Sequence, residues 1–305
     1  MRLVVIYATY LLTAEGDGER GTPNLMRLKT KPMPTVKGNK EMKAKWNAGR
    51  REIIPKIGQL TNDAESVTRV TQQIRDIIEP TPPHPRPVYF ALLSSLAKAI
   101  LMQAETEVTA EKRSAGPLGQ VAANLLGVFE RFPDVFWAKL VQRTGGWPIP
   151  IAVPAMDEGV PWESAAARTK AEGIRGDESP SEFTTRVSGI MRVYFHILAA
   201  TVSKPIDGRF RLPRYWTFYA RMVSEPRLLD SPVAPEVMQI GLDVCGVQAK
   251  AIWGAQWIKL LELLYEGATV GMFGSEGRLF GGKTPEGIAA RVRLQLEIER
   301  VMNTN

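Results

Sequence analysis

The chain has 305 residues, 44% hydrophobic and 23% charged, which is enough apolar material to bury one large core or two modest ones and too much for a disordered chain. A single cysteine, Cys245, excludes an intramolecular disulfide framework and fits a reducing compartment, and two histidines, His84 and His196, exclude a histidine-rich metal centre. The net charge of +7 is concentrated: residues 20–56 hold eleven Lys or Arg against Glu41 and Glu52 only, and the rest of the chain is close to neutral.

The first residues, MRLVVIYATYLL, have the basic start and apolar run of a signal-peptide core, but the run is too short to span a bilayer and no clean small-residue cleavage site follows. Residues 1–23 are therefore read as an N-terminal tail that packs or frays. The basic arm, about 24–56, attracts polyanions or serves as a solubilising, partly disordered segment. Helical spacing follows near 62–79, 87–112, 117–131, 133–144, 181–203, 213–225, 234–266 and 284–302, and strand signals are rare. This predicts an N-terminal helical half (57–144), a connection (145–180) and a C-terminal helical half (181–305). Antiparallel helices joined by short turns predict an all-α fold of stacked pairs, as in solenoids or bundles.

In the segment 87–112, Tyr89, Leu92, Leu93, Leu96 and Ile100 form the buried stripe of an amphipathic helix. Lys98 lies on the opposite side, with no carboxylate within a turn of it, so its counter-charge must come from elsewhere. Ahead of it, EPTPPHPRP (79–87) forbids a continuous helix and makes a stiff connector. GGWPIPIAVPAMDEGVP (145–161) is extended and Pro-interrupted and crosses between two helical layers. In the segment 234–266, Val237, Ile240, Val244, Val247, Ala251, Ile258, Leu261 and Tyr265 keep a three-and-four rhythm, so it reads as one long helix. Trp253, Trp257 and Tyr265 on it pack in the core or, alternatively, line a groove for a short partner segment.

One motif suggests an enzyme. GRLFGGKT, Gly277 to Thr284, matches G-x-x-x-x-G-K-T literally, the loop whose backbone N–H groups surround nucleotide phosphates, with Lys283 as its lysine. Its context disagrees. Only ATVGMF (268–273) is available as the preceding strand, Pro285 follows the threonine, and no alternation of strands and helices supports a parallel sheet.

PKIGQLTND (55–63), AKAILMQAETEV (97–108), GPLGQVAANLL (116–126), FWAKLVQR (136–143), VSGIMRVYFHIL (187–198) and DVCGVQAKAIWGAQWIKLLELL (243–264) fall in the order and spacing of one family. Over most of residues 50–302 the chain resembles the C-terminal domain of the Gle-one family, the nuclear-pore factors of mRNA export. The resemblance implies a helical domain similar to HEAT repeats and the MIF4G fold, with no catalytic activity of its own. It implies binding of inositol hexakisphosphate, stimulation of a DEAD-box RNA helicase at the cytoplasmic side of the nuclear pore complex, RNA contact through that helicase, and an FG nucleoporin partner, with no membrane. It places pocket cations at Lys98, Lys139, Arg143 and Arg175, with Arg50 and Arg51 where the first basic cluster enters. Lys139 and Arg143 are four apart and so share a helix face. The chain departs from the fungal pattern at Gln142, where a base is expected. A complete family member also carries an upstream coiled-coil region, so the chain is expected to be a part or a shortened form of one. A competing expectation is a MIF4G-like scaffold that binds RNA directly through the basic arm.

Overall fold

Asn39, Asp63, Ser164, Ser179 and Thr284 each stand just before a helix, and each side chain accepts a hydrogen bond from the backbone N–H three residues on. Prolines at 180, 213 and 285 occupy first-turn positions, where the missing N–H costs nothing. The helices these signals start make an all-α structure, seen in a computed structural model that describes residues 32–153, 156–157, 160–162, 164–271 and 279–304. In order they are α1 (Pro32–Gly38), α2 (Lys40–Gly58), α3 (Ala64–Ile78), α4 (Arg86–Ala110), α5 (Ala115–Val128), α6 (Phe132–Thr144) and α7 (Ala165–Ala171). There follow α8 (Pro180–Ala199), α9 (Pro213–Val223), α10 (Pro226–Leu229), α11 (Val233–Trp253), α12 (Ala255–Thr269) and α13 (Pro285–Asn303). One minimal antiparallel pairing, Met156–Asp157 with Val160–Pro161, is the sole strand contact among the described residues.

The helices stack in layers around α4 and α8. Helix α4 is long and apolar enough to cross a membrane by length and composition, but here most of its apolar residues are buried against α1, α2, α6 and α8. Helix α8 packs on α4 and α5 on one side and on α11 on the other, so twelve of its twenty residues are buried. A run of rings in edge-to-face and tilted contact, Phe132, Phe136, Phe210, Trp137, Tyr194 and Phe195, carries the core from the N-terminal half into the C-terminal half. Arg209 fastens the same seam, donating to Asp134 at 2.8 Å and to Asp207 at 2.8 and 2.9 Å.

Several sequence expectations need correction. Much of the basic arm, 32–58, is helical and not a disordered tail: Val36, Ile53 and Ile57 are buried, and Trp46 Nε1 donates to Ser95 Oγ at 3.0 Å. The predicted long helix 234–266 is broken at Gly254, whose φ of 52° and ψ of −128° end α11 and restart the chain as α12. Only glycine takes that conformation without strain. The connection 145–180 contains the helix α7, and its start, 145–150, is a hydrogen-bonded turn and not the extended segment expected; Trp147 and Ile149 in it are buried, as is Val153 beyond it. The tail 1–23, with its signal-like run, lies outside the described residues.

Candidate functional site

Lys98 projects from the exposed side of α4, Lys139 and Arg143 from α6, Lys170 from α7, and Arg175 from the loop that follows it. All five line one cavity of about 680 Å³, together with Gln142, Thr169, Ile174 and the backbone of Gly173 and Gly176. Four of the six cations named from the sequence are thus brought together. Lys170 was missed, because nothing in the sequence marked a helix at 165–171. Arg50 and Arg51 are not among the lining residues: they are exposed on α2, and the Arg50 guanidinium lies 5.7 Å from the ring centre of Trp46. Lys98 and Lys170 are exposed, and neither has a carboxylate partner among the described residues. Gln142, where a base was expected, accepts from Lys139 Nζ at 3.4 Å and so holds that ammonium at the cavity wall.

The arginines are held from behind. Glu105, two turns beyond Lys98 on α4 and 10% exposed, accepts from Arg143 Nη1 and, at 2.8 and 2.9 Å, from Arg175 Nη2. Sequence reasoning had no signal for this contact, since it joins residues 38 and 70 positions apart. The loop bearing Arg175 is set by a close backbone crossing. A Cβ on Gly145 would stand 2.3 Å from Glu172 O, and one on Gly173 would stand 2.4 Å from Gly145 N; both residues have positive φ. Arg186, on α8, locks the crossing: it donates to the Arg143 carbonyl, to Gly173 O at 2.9 Å, and through Nε and Nη2 to Glu178 at 2.6 Å each. Burial pushes the Glu178 carboxyl up, but hydrogen bonds from Arg186 and from the Arg175 backbone outweigh this and hold it below its ordinary value. Arg175 Nη2 and Arg143 Nη1 are thereby committed to Glu105, and the rest of each guanidinium fork remains for the cavity.

Among the described residues, five cations against the set-back Glu105 give a concave, strongly positive surface in which arginine forks and ammonium groups face one volume. Such a surface suits a compact anion with several phosphates, because single exposed pairs are weak and screened whereas a multivalent ligand engages many at once.

The loop before α13 is built differently from a nucleotide-binding loop. Gly277 and Arg278 lie outside the described residues, as do Met272 and Phe273 of the expected strand, and the described element ahead of the loop is the helix α12. The Phe280 and Gly282 carbonyls accept from Arg291 at 2.6 and 3.0 Å, and Gly281 N–H donates to Leu229 O at 2.7 Å. Among the described residues, Phe280, Gly281 and Gly282 thus spend backbone groups on the fold. Of the aromatic set, Trp257 is fully buried and packs on Tyr215, Tyr219 and Trp253, while Trp253 and Tyr265 are partly exposed.

Residues 24–265 match the family model described as GLE1-like protein. The chain belongs to that family. It is 27% identical over 276 residues to the mRNA export factor GLE1 of Saccharomyces cerevisiae, covering 87% of this chain and 47% of that protein. It is 25% identical over 268 residues to the Schizosaccharomyces pombe mRNA export factor gle1, covering 85% of this chain and 54% of that one. The chain thus spans about half the length of the curated GLE1 relatives it matches. Among solved structures, the fold is similar to a S. cerevisiae complex of a variant Dbp5 C-terminal domain with Gle1 and IP6, with a TM-score of 0.72, 23% identity, and coverage of 93% of this chain and 96% of that one. A second complex, with a Gle1 variant, gives a TM-score of 0.73 at 22% identity, covering 93% and 95%.

Proposed function

We propose that the cavity between α4, α6 and α7 binds inositol hexakisphosphate. In this reading the chain is a non-enzymatic mRNA export factor that uses the bound ligand to engage a DEAD-box RNA helicase. The observation that carries this is the convergence of Lys98, Lys139, Arg143, Lys170 and Arg175 on one volume. The relatives named as mRNA export factors, and the solved complexes of Dbp5 with Gle1 and IP6, support the ligand and partner class. A polyanion seated in a positive surface leaves phosphates facing outward, and these join the domain to a basic patch on the helicase. Binding that favours an opened arrangement of the helicase lobes speeds its ATPase cycle by population shift, without contributing a catalytic group. RNA is then reached through the helicase, at the cytoplasmic face of the nuclear pore. An FG nucleoporin segment docks on the C-terminal half, where Trp253 and Tyr265 are the accessible members of the aromatic set.

Calorimetric titration with inositol hexakisphosphate at two salt concentrations tests the ligand. Lys98→Gln with Lys170→Gln alters two exposed side chains that hold no ion pair among the described residues, so the fold is spared. Affinity should drop about tenfold per cation removed, from roughly 1.5 kcal/mol for a charged hydrogen bond. Ligand-dependent helicase ATPase should fall with it. Undiminished affinity and stimulation in the double variant would overturn the reading.

A further inference from the structure

We propose that α2 is a track for the phosphate backbone of an RNA strand, separate from the cavity and independent of its ligand. At 100° per residue, Lys40, Lys43, Asn47, Arg50, Arg51 and Ile54 fall within about 100° of arc on one side of this helix. All four cations are exposed, and none is paired with a carboxylate among the described residues. The two acids of the helix, Glu41 and Glu52, lie roughly 140° away around the axis, and Glu41 is taken up by Lys45 at 2.7 Å. The buried side of α2 borders this row and fixes the helix: Ile53 and Ile57 are buried, and Trp46 is tied to Ser95 of α4. The charged row is therefore rigid and faces solvent.

Its shape selects the partner. The cations run about 16 Å along the axis in a line, so a linear polyanion engages all of them at once where a compact one meets only one or two. The row has one exposed apolar side chain, Ile54, and no exposed aromatic. Protein–protein interfaces are built around an apolar, aromatic-rich centre depleted of lysine, and nothing of that kind is present here. Contacts from Lys and Arg to phosphates without stacked bases give binding that is indifferent to sequence and steep in salt.

The test uses the full chain, with fluorescence anisotropy of a labelled oligouridylate of about 20 nucleotides as the readout, a length several times the site size such a row spans. Four phosphate contacts predict a contribution of about −2.8 to the slope of log K against log salt, or about 50-fold weakening between roughly 50 and 200 mM salt. Lys40→Gln, Lys43→Gln, Arg50→Gln and Arg51→Gln combined should flatten the slope by that amount, while Lys98→Gln with Lys170→Gln should leave it unchanged. An unaltered slope in the α2 variant overturns the proposal. So does tighter binding of an acidic peptide than of RNA to the same row, which would make the surface a protein dock. Melting of both variants alongside the parent excludes unfolding as the cause, and Lys40→Gln with Lys43→Gln alone, which touches no packed side chain, should still remove about half of the effect.

Discussion

Replacing Arg186 with methionine keeps the length of the stem and deletes the fork that fastens α8 to the cavity loop. Glu178, 8% exposed, would lose both charged hydrogen bonds, and the carbonyls of Gly173 and Arg143 would lose their donor. Removing one member of a buried ion pair costs about 3–5 kcal/mol, chiefly because the other charge is left uncompensated. Neither side chain is exposed enough for solvent to screen the loss. For a domain of this size that is a fall in Tm of roughly 6–10 °C. Differential scanning calorimetry measures it, and titration with inositol hexakisphosphate reports whether Arg175 has lost its place. Glu178→Gln added to Arg186→Met should recover part of the stability, since a neutral amide needs no counter-charge. Because the Glu178 carboxyl is held below its ordinary value, the stabilisation is present above a pH of about 4.3 and is lost as pH falls through the folded-state value. The deficit of Arg186→Met should accordingly shrink in acid. A single variant that melts within about 1 °C of the parent, or a double variant no better than the single, would refute the reasoning.

Gly173→Ala should destabilise by well over 1 kcal/mol and weaken phosphate binding, since φ is +81° and the new methyl would lie 2.4 Å from Gly145 N; a crystal structure or a melt together with a titration checks both effects. Burial, reinforced by the nearby Arg192, pushes the His196 imidazole down to about 4, so His196 adds to stability fully above a pH of about 6.5 and ever less as pH falls from there through 4. His196→Gln should flatten that part of the profile in urea titrations run at stepped pH. Lys283→Ala should leave nucleotide turnover at background, as in the parent, because Arg291 ties the Phe280 and Gly282 carbonyls of that loop to α13; hydrolysis abolished by that change would restore the P-loop reading.

How far the sequence disclosed this architecture depends on where each helix finds its partners. Helix α4 was legible because Leu92, Leu93, Leu96 and Ile100 supply a stripe that any helix would have to bury. Helix α2 was not: only Gly49, Ile53 and Ile57 are buried in nineteen residues, Pro55 sits inside it, and its stability comes from contact with α4, which no local pattern encodes. The break at Gly254 was hidden because the apolar rhythm runs on across it, α11 and α12 burying residues that continue one count. In the cavity, Lys139 and Arg143 declare a shared face by spacing alone. Glu105, Lys170 and the Gly145–Gly173 crossing are visible only once distant segments meet. The family likeness supplied Lys98 and Arg175 as a set before any geometry was known, and the same likeness did not separate Arg50 and Arg51 from them.

Helix α8 is wrapped on opposite sides by elements drawn from both ends of the chain, and Arg186, the residue that steadies the cavity loop, grows from it. The two halves therefore share an axle and do not come apart independently. A premature stop between residues 199 and 233 would strip α11 from this axle. Its effect would be felt far upstream, as a lost ligand in a region whose own amino acids are intact. Lesions scattered through the C-terminal half should then converge on one phenotype, and the whole chain should melt in a single step.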